Sequence, residues 1–283
     1  MSQAKKLIAG LVAAAALGFA SSASALVAEW SATFENGFAD NTSFDWNGNP
    51  IGESGATTVG GNPAWTSLRW PATGNQSGLD VTPGAVSGSS VSVFTNLGAE
   101  NTLQITHLNR VITCDQGSPT TGSICLNALK DTVLLTQLTL TAIDFPIAGT
   151  DTPLPPLPVA AIDIRFVETF NLGPCGFPEQ SGAECSDIFV IDPLDLSFSF
   201  GFLDGIEYFV EIGAAGLGPL SDEACAKAGL AAGCIGLVTQ EGDDTPVLAN
   251  IRIFTREAPE PGTLAILALG LLAIGVVTRR KRA

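Results

Sequence analysis

The 283-residue chain is poor in the side chains that do most chemistry: it has one His, one Met, one Tyr and 13 basic residues. Set against 28 acidic residues, so few bases give a formal net charge of -15. That balance excludes nucleic-acid binding, which needs a basic surface to displace counterions from phosphates. A single His, and six Cys with no C-x-x-C spacing among them, argue against a conventional metal enzyme, and no metal or cofactor is expected. The chain also lacks a G-x-S-x-G elbow, a P-loop and a dinucleotide fingerprint. A Ser-His-Asp or Cys-His arrangement would have to use His107. Long helical periodicity and fixed-period repeats are missing too. Charged residues make up 14% and hydrophobic ones 46%, enough apolar surface to rule out disorder along the whole chain.

Both ends are apolar. Lys5 and Lys6 precede the run Leu7 to Ala20, which is too short for a comfortable span, and Ala23-Ser24-Ala25 supplies small residues. Residues 1–25 therefore read as a signal peptide, cut by signal peptidase between Ala25 and Leu26. Thr263 to Val277 is almost wholly Leu, Ala, Ile, Val and Gly, and Arg279, Arg280, Lys281 and Arg282 follow at once. A transmembrane helix over 263–278, rising about 1.5 Å per residue, falls somewhat short of the roughly 30 Å hydrocarbon core. Bilayer thinning or snorkelling arginines close the gap. The basic cluster holds that end in the cytoplasm, which leaves the body across the inner membrane. Without these six terminal bases, 7 basic residues face 28 acidic ones, a net charge of -21 on the body. Such a body stays soluble, repels anionic surfaces and binds divalent cations loosely.

Between body and apolar tail lies Ala258-Pro259-Glu260-Pro261-Gly262, whose two prolines keep the backbone extended and accessible. Pro259-Glu260-Pro261, a short apolar helix and a terminal Arg/Lys cluster resemble the PEP-CTERM sorting signal of Gram-negative bacteria. The resemblance covers residues 258–283. It implies recognition by a membrane-embedded exosortase that removes the tail and passes the protein outward, often in bacteria that make exopolysaccharide. Transient anchoring in the inner membrane with the body in the periplasm, then a place at the cell surface or outside it, is the localisation it implies.

The body, residues 26–257, shows short runs rich in Val, Ile, Thr, Leu and Phe between turn residues. They are Leu26 to Phe34, Ser90 to Thr95, Leu103 to Thr113, Thr132 to Ile143, Val159 to Val167, Ile188 to Ile191, Ile206 to Ile212 and Val247 to Phe254. Several alternate with period two, as in Leu103-Gln104-Ile105-Thr106-His107. The expected fold is all-β, one domain forming an antiparallel β-sandwich or jelly roll. One helix is expected, capped by Ser221, started by Asp222 and Glu223 and stopped by Gly233. Residues 36–90, with Trp46, Trp65 and Trp70, read as long loops or short strands. Pro153 to Pro158 reads as a stiff connector, and Asp45 to Asn49 as a turn without the ligands of a calcium loop.

The cysteines form three local pairs, Cys114 with Cys125, Cys175 with Cys185 and Cys225 with Cys234, each around a Gly- or Pro-containing loop. Six cysteines allow fifteen pairings, and local pairing is the simplest. Disulfides persist in an exported protein. His107 and Asn109 share a face with Leu103 and Ile105. They form either a half-buried pair bonded to nearby backbone or a polar pair lining a groove. Thr106-His107-Leu108-Asn109 also resembles the signature of the THxN family of PEP-CTERM proteins. Similar pieces follow in the same order: Phe166 to Asn171 with Cys175, Cys185 to Val190, and Cys225 to Cys234 followed by Ile235-Gly236-Leu237. Phe170 departs from the family's proline. The likeness spans about residues 100–255 and implies a secreted β-rich surface domain in which Thr106, His107 and Asn109 are motif residues; no activity follows from it.

Three functions stay open. The first is a non-enzymatic structural or adhesive protein of the surface or matrix. The second is a carbohydrate-binding module on exopolysaccharide, with tryptophans as stacking faces. The third, weakest, is a glycoside hydrolase with two carboxylates about 5 to 9 Å apart in a cleft.

Overall fold

The structure is a computed structural model that describes residues 27–83, 90–114, 124–143, 152–169, 186–191, 196–203 and 206–256. The signal peptide with its Ala25–Leu26 cut, the Pro259-Glu260-Pro261 motif, the apolar helix, its basic cluster and the Cys175–Cys185 pair lie outside the described residues. Val27–Gly201 with Tyr208–Arg256 forms one compact body.

The strands are β1 (Glu29–Ala39), β2 (Phe44–Asp45), β3 (Gly52–Val59), β4 (Asn62–Trp70), β5 (Ser77–Pro83), β6 (Val91–Phe94), β7 (Glu100–Leu108) and β8 (Leu129–Ile143). After them come β9 (Thr152–Pro153), β10 (Ala160–Val167), β11 (Asp187–Ile191), β12 (Leu196–Leu203), β13 (Ile206–Ala215) and β14 (Gly218–Pro219). The helix α1 (Asp222–Lys227) precedes β15 (Ile235–Thr239) and β16 (Asp244–Arg256). All join one antiparallel sheet in the order β12-β13-β16-β7-β5-β4-β1-β8-β10-β11-β15-β14. The strands β2 and β9 add to β8, β3 to β4, and β6 to β1.

Period-two alternation builds the sheet's spine. In β8, Thr132, Leu134, Thr136, Leu138, Leu140 and Ala142 all point inward. Opposite them in β1, Trp30 pairs with Ala142, Ala32 with Leu140 and Phe34 with Leu138, so both strands bury the same face. Leu103 and Ile105 of β7 and Val247 of β16 share one apolar cluster with Leu134 of β8, Ile162 and Ile164 of β10 and Ile191 of β11. Since β5, β4 and β1 separate β7 from β8 in the sheet, this contact requires the sheet to curl over its own core. The all-β expectation holds; the two opposed layers are stretches of one continuous sheet.

Three local differences have physical reasons. Residues 52–83 form three regular strands, because Gly60 and Gly61, at φ 56° and 80°, close a tight hairpin in which Val59 pairs with Asn62. Beyond the turn Ala64, Leu68 and Trp70 are buried. The helix begins as expected, with the Ala224 N–H donating to Ser221 Oγ at 3.1 Å. It ends at Ala228, short of Gly233, because Gly229 already takes the left-handed conformation at φ 71°. The Pro-rich connector runs beside β8, where the N–H groups of Leu154 and Leu157 donate to the Leu140 and Leu138 carbonyls.

Candidate functional site

At one end of the body, buried polar side chains from several strands converge. His107 is the penultimate residue of β7. Glu168 follows β10, and Asp187 opens β11. Thr239 closes β15, and Glu241 lies in the turn before β16. His107, Glu168 and Asp187 are exposed by no more than 1%. One ligating atom from each of the three lies within 4.8 Å of the others.

Backbone register explains the convergence. Asp187 pairs with Thr239 between β11 and β15, and His107 pairs with Leu79 between β7 and β5. His107 Nδ1 then meets Thr239 Oγ1 at 3.0 Å, joining two strands far apart in the sheet. Around the imidazole, Trp70 stacks at 6.1 Å and Phe166 meets it edge-on at 4.6 Å. These rings keep water away and hold the His plane.

Each carboxylate is held by a donor. Glu168 Oε2 accepts from Trp70 Nε1 at 2.8 Å. Its other oxygen sits 3.4 Å from Ser77 Oγ, whose single proton has a shorter partner in the Arg110 carbonyl at 3.0 Å. Asp187 Oδ1 accepts from the Thr169 N–H at 2.8 Å. The Cys125 N–H donates to the Glu168 carbonyl at 2.9 Å, tying the Cys114–Cys125 disulfide to this corner. Asn109 Nδ2 donates to the Gln240 carbonyl at 3.0 Å.

Burial dominates the electrostatics. Desolvation lowers the His107 imidazole to about 3, Asp244 raises it and Arg110 lowers it further. Desolvation pushes Glu168 up to about 8, against the Trp70 hydrogen bond and with repulsion from Glu241. Asp187 is raised well above the usual carboxylate range by burial and then by the Glu168 charge. His107 Nε2, Asp187 Oδ2, Asn109 Oδ1 and Ser186 Oγ have no hydrogen-bond partner among the described residues. In a fold that satisfies nearly all of its buried polar groups, such orphans call for a reason.

Of the residues singled out from sequence, His107 and Asn109 are fully buried, beyond the half-burial expected, and they line no groove. Thr106, the third motif residue, is half-buried on the opposite face of β7. Glu168 and Asp187 fall within the segments that carried the THxN likeness, though neither was read as a site residue. No metal set was expected, yet among the described residues His107, Glu168 and Asp187 form a group able to hold one. Nothing in the local pattern marks them, because 60 or more positions separate His107 from its partners in the chain. The Cys114–Cys125 and Cys225–Cys234 disulfides form as expected.

Residues 257–282 match the PEP-CTERM protein-sorting motif. The chain carries an exosortase-sorting signal. Pro259, Glu260, Pro261 and the Arg279 to Arg282 cluster all fall within the match. The signal marks the body for export to the cell envelope or surface, where its two disulfides persist. No curated protein matches the chain.

Proposed function

We propose that the body is a non-enzymatic structural or adhesive component of the surface or extracellular matrix of a Gram-negative bacterium, of the THxN kind, delivered by exosortase. One observation carries the non-enzymatic part: the cluster of reactive side chains is sealed. With His107, Glu168 and Asp187 at most 1% exposed, a substrate has no approach to them. A glycosidase holds its two carboxylates on either side of an open sugar-binding cleft, and Glu168 and Asp187 sit in no such opening.

The same geometry weighs against carbohydrate stacking. Trp30 and Trp70 are wholly buried. Trp65 is half-buried and donates to Asp40 Oδ1 at 3.0 Å, and Trp46 lies under Lys130 Nζ at 5.6 Å. Trp30 and Trp70 offer no face to a sugar ring, and a cation already lies over Trp46.

Dosage separates the readings. In a strain lacking the protein, the full chain is re-expressed at graded levels and the cohesion of the surface matrix is measured. A structural part acts stoichiometrically, so cohesion rises in proportion to protein. Full recovery at a hundredth of the normal level points to catalysis and overturns the proposal. Saturable co-sedimentation of the purified protein with the strain's exopolysaccharide supports the carbohydrate-binding reading instead.

A further inference from the structure

We propose that His107, Glu168 and Asp187 bind one divalent transition-metal ion, which clasps β7 to the β10–β11 corner of the curled sheet. The donor set is one imidazole and two carboxylates, and two ionised carboxylates balance a dipositive ion. A nitrogen ligand selects a first-row transition ion such as Zn2+ or Mn2+ over Ca2+ or Mg2+, which prefer oxygen throughout.

Each donor is already oriented from behind. Thr239 engages His107 Nδ1 and leaves Nε2, which has no partner among the described residues, for the ion. The Thr169 N–H holds Asp187 Oδ1 and leaves Oδ2, also unpartnered. Trp70 holds Glu168 Oε2 and leaves Oε1 with only its long contact to Ser77. This outer ring of hydrogen bonds is the usual support of metal ligands. Donors bonded to one ion at 2.0–2.2 Å lie at most about 4.4 Å apart. In a tetrahedral site they lie about 3.3–3.6 Å apart, so donor atoms, one from each residue, that lie within 4.8 Å of one another reach it by shifts of up to about 1 Å.

The position gives the ion its role. In the sheet, β5, β4, β1, β8 and β10 intervene between β7 and β11. The His107–Thr239 contact already joins β7 to β15, the strand beside β11, and an ion bound next to it makes that closure strong. Three protein donors leave one coordination position for a water, but the site is sealed from any substrate, which gives the ion a structural task.

The test uses the full-length chain in detergent, stripped with a chelator and titrated separately with ZnCl2, MnCl2 and CaCl2. Wild type is expected to take up one tight equivalent of Zn2+ or Mn2+. At free ion a hundredfold above its Kd, the folded-to-unfolded ratio rises about 100-fold. Asp187→Asn is the decisive variant, because its amide copies the neutral form of a buried carboxyl. Metal-free, it is expected to fold at least as well as wild type. It should lose the tight equivalent and the ion-dependent rise in melting temperature, keeping only weak surface binding. Glu168→Gln gives a second reading by the same logic. Failure of wild type to bind or shift with Zn2+ or Mn2+, tight binding of Ca2+ alone, or an undiminished shift in both variants overturns the proposal.

Discussion

Raising the pH of the chelator-treated protein from 5.5 to 8 is expected to destabilise it. Glu168 has a pKa of about 8 in the fold against 4.5 when unfolded, so the unfolded chain gives up that proton first. Each pH unit between the two values then costs about 1.36 kcal/mol of stability. His107 works in the opposite sense. It stays neutral in the fold down to about 3 but takes a proton below 6.5 when unfolded, so its cost grows as pH falls through that range. Between pH 5.5 and 8 the Glu168 cost grows by about 3 kcal/mol while the His107 cost fades by about 1 kcal/mol, leaving about 1–2 kcal/mol lost. Asp187, raised by burial and by Glu168, adds to the loss. Glu241 repels both carboxylates, and the exposed Asp244 and Arg110 act on His107 in opposite senses. Below about pH 4.5 the carboxyls are protonated in both states, and His107 alone removes about 1.4 kcal/mol per unit down to pH 3. From Glu168 and His107 alone stability therefore peaks near pH 5.5, midway between their unfolded values, and Asp187 draws the peak lower. For a body of this size the change from 5.5 to 8 lowers the Tm by about 3–6 °C. The assay is thermal denaturation followed by circular dichroism at pH 4, 5.5, 7 and 8 with chelator present. A Tm that is level or rises between pH 5.5 and 8 refutes the reasoning. With saturating Zn2+ the alkaline loss should vanish, because the ion holds both carboxylates ionised.

Other consequences concern packing and cross-links. Gly236→Ala places a Cβ 2.2 Å from the Phe189 carbonyl oxygen, where β15 meets β11; a loss of at least about 2 kcal/mol is expected in urea denaturation. Trp70→Phe keeps most of the ring packing on Phe166 but strips Glu168 Oε2 of its indole donor, which costs about 1–3 kcal/mol in the same assay. Replacing Cys225 and Cys234 by Ser opens a loop closed over a separation of 9 residues and costs about 2.5–3 kcal/mol, read as a lower urea midpoint. Ser221→Ala removes the cap of α1 and should cost about 1 kcal/mol.

The strands that build the core were legible wherever one face is buried and the other wet. In β8 and β7 strict alternation carries the signal, and those runs appear within a few residues of their expected places. The hairpin of β3 and β4 was obscured because Gly, Ser and Thr dominate β3, whose side chains stay largely exposed. The Gly60-Gly61 pair was the one local clue to it. The helix start was readable from Ser221, Asp222 and Glu223. Its end was not, because both Gly229 and Gly233 take positive φ and the first stops the helix. His107 drew attention as the lone imidazole, but its partners did not. Glu168 and Asp187 look like ordinary acids among 28, and only the long-range register of β11 on β15, with closure onto β7, assembles them.

Delivery by exosortase is most directly tested by locating the protein in cells. Wild type, a strain lacking exosortase, and wild type expressing a chain with Pro259, Glu260 and Pro261 all replaced by Ala are fractionated, and the body is followed by immunoblot. Exosortase routing requires the body at the surface or in the medium in wild type, and its retention in the inner membrane in the other two. The same distribution in all three strains contradicts it.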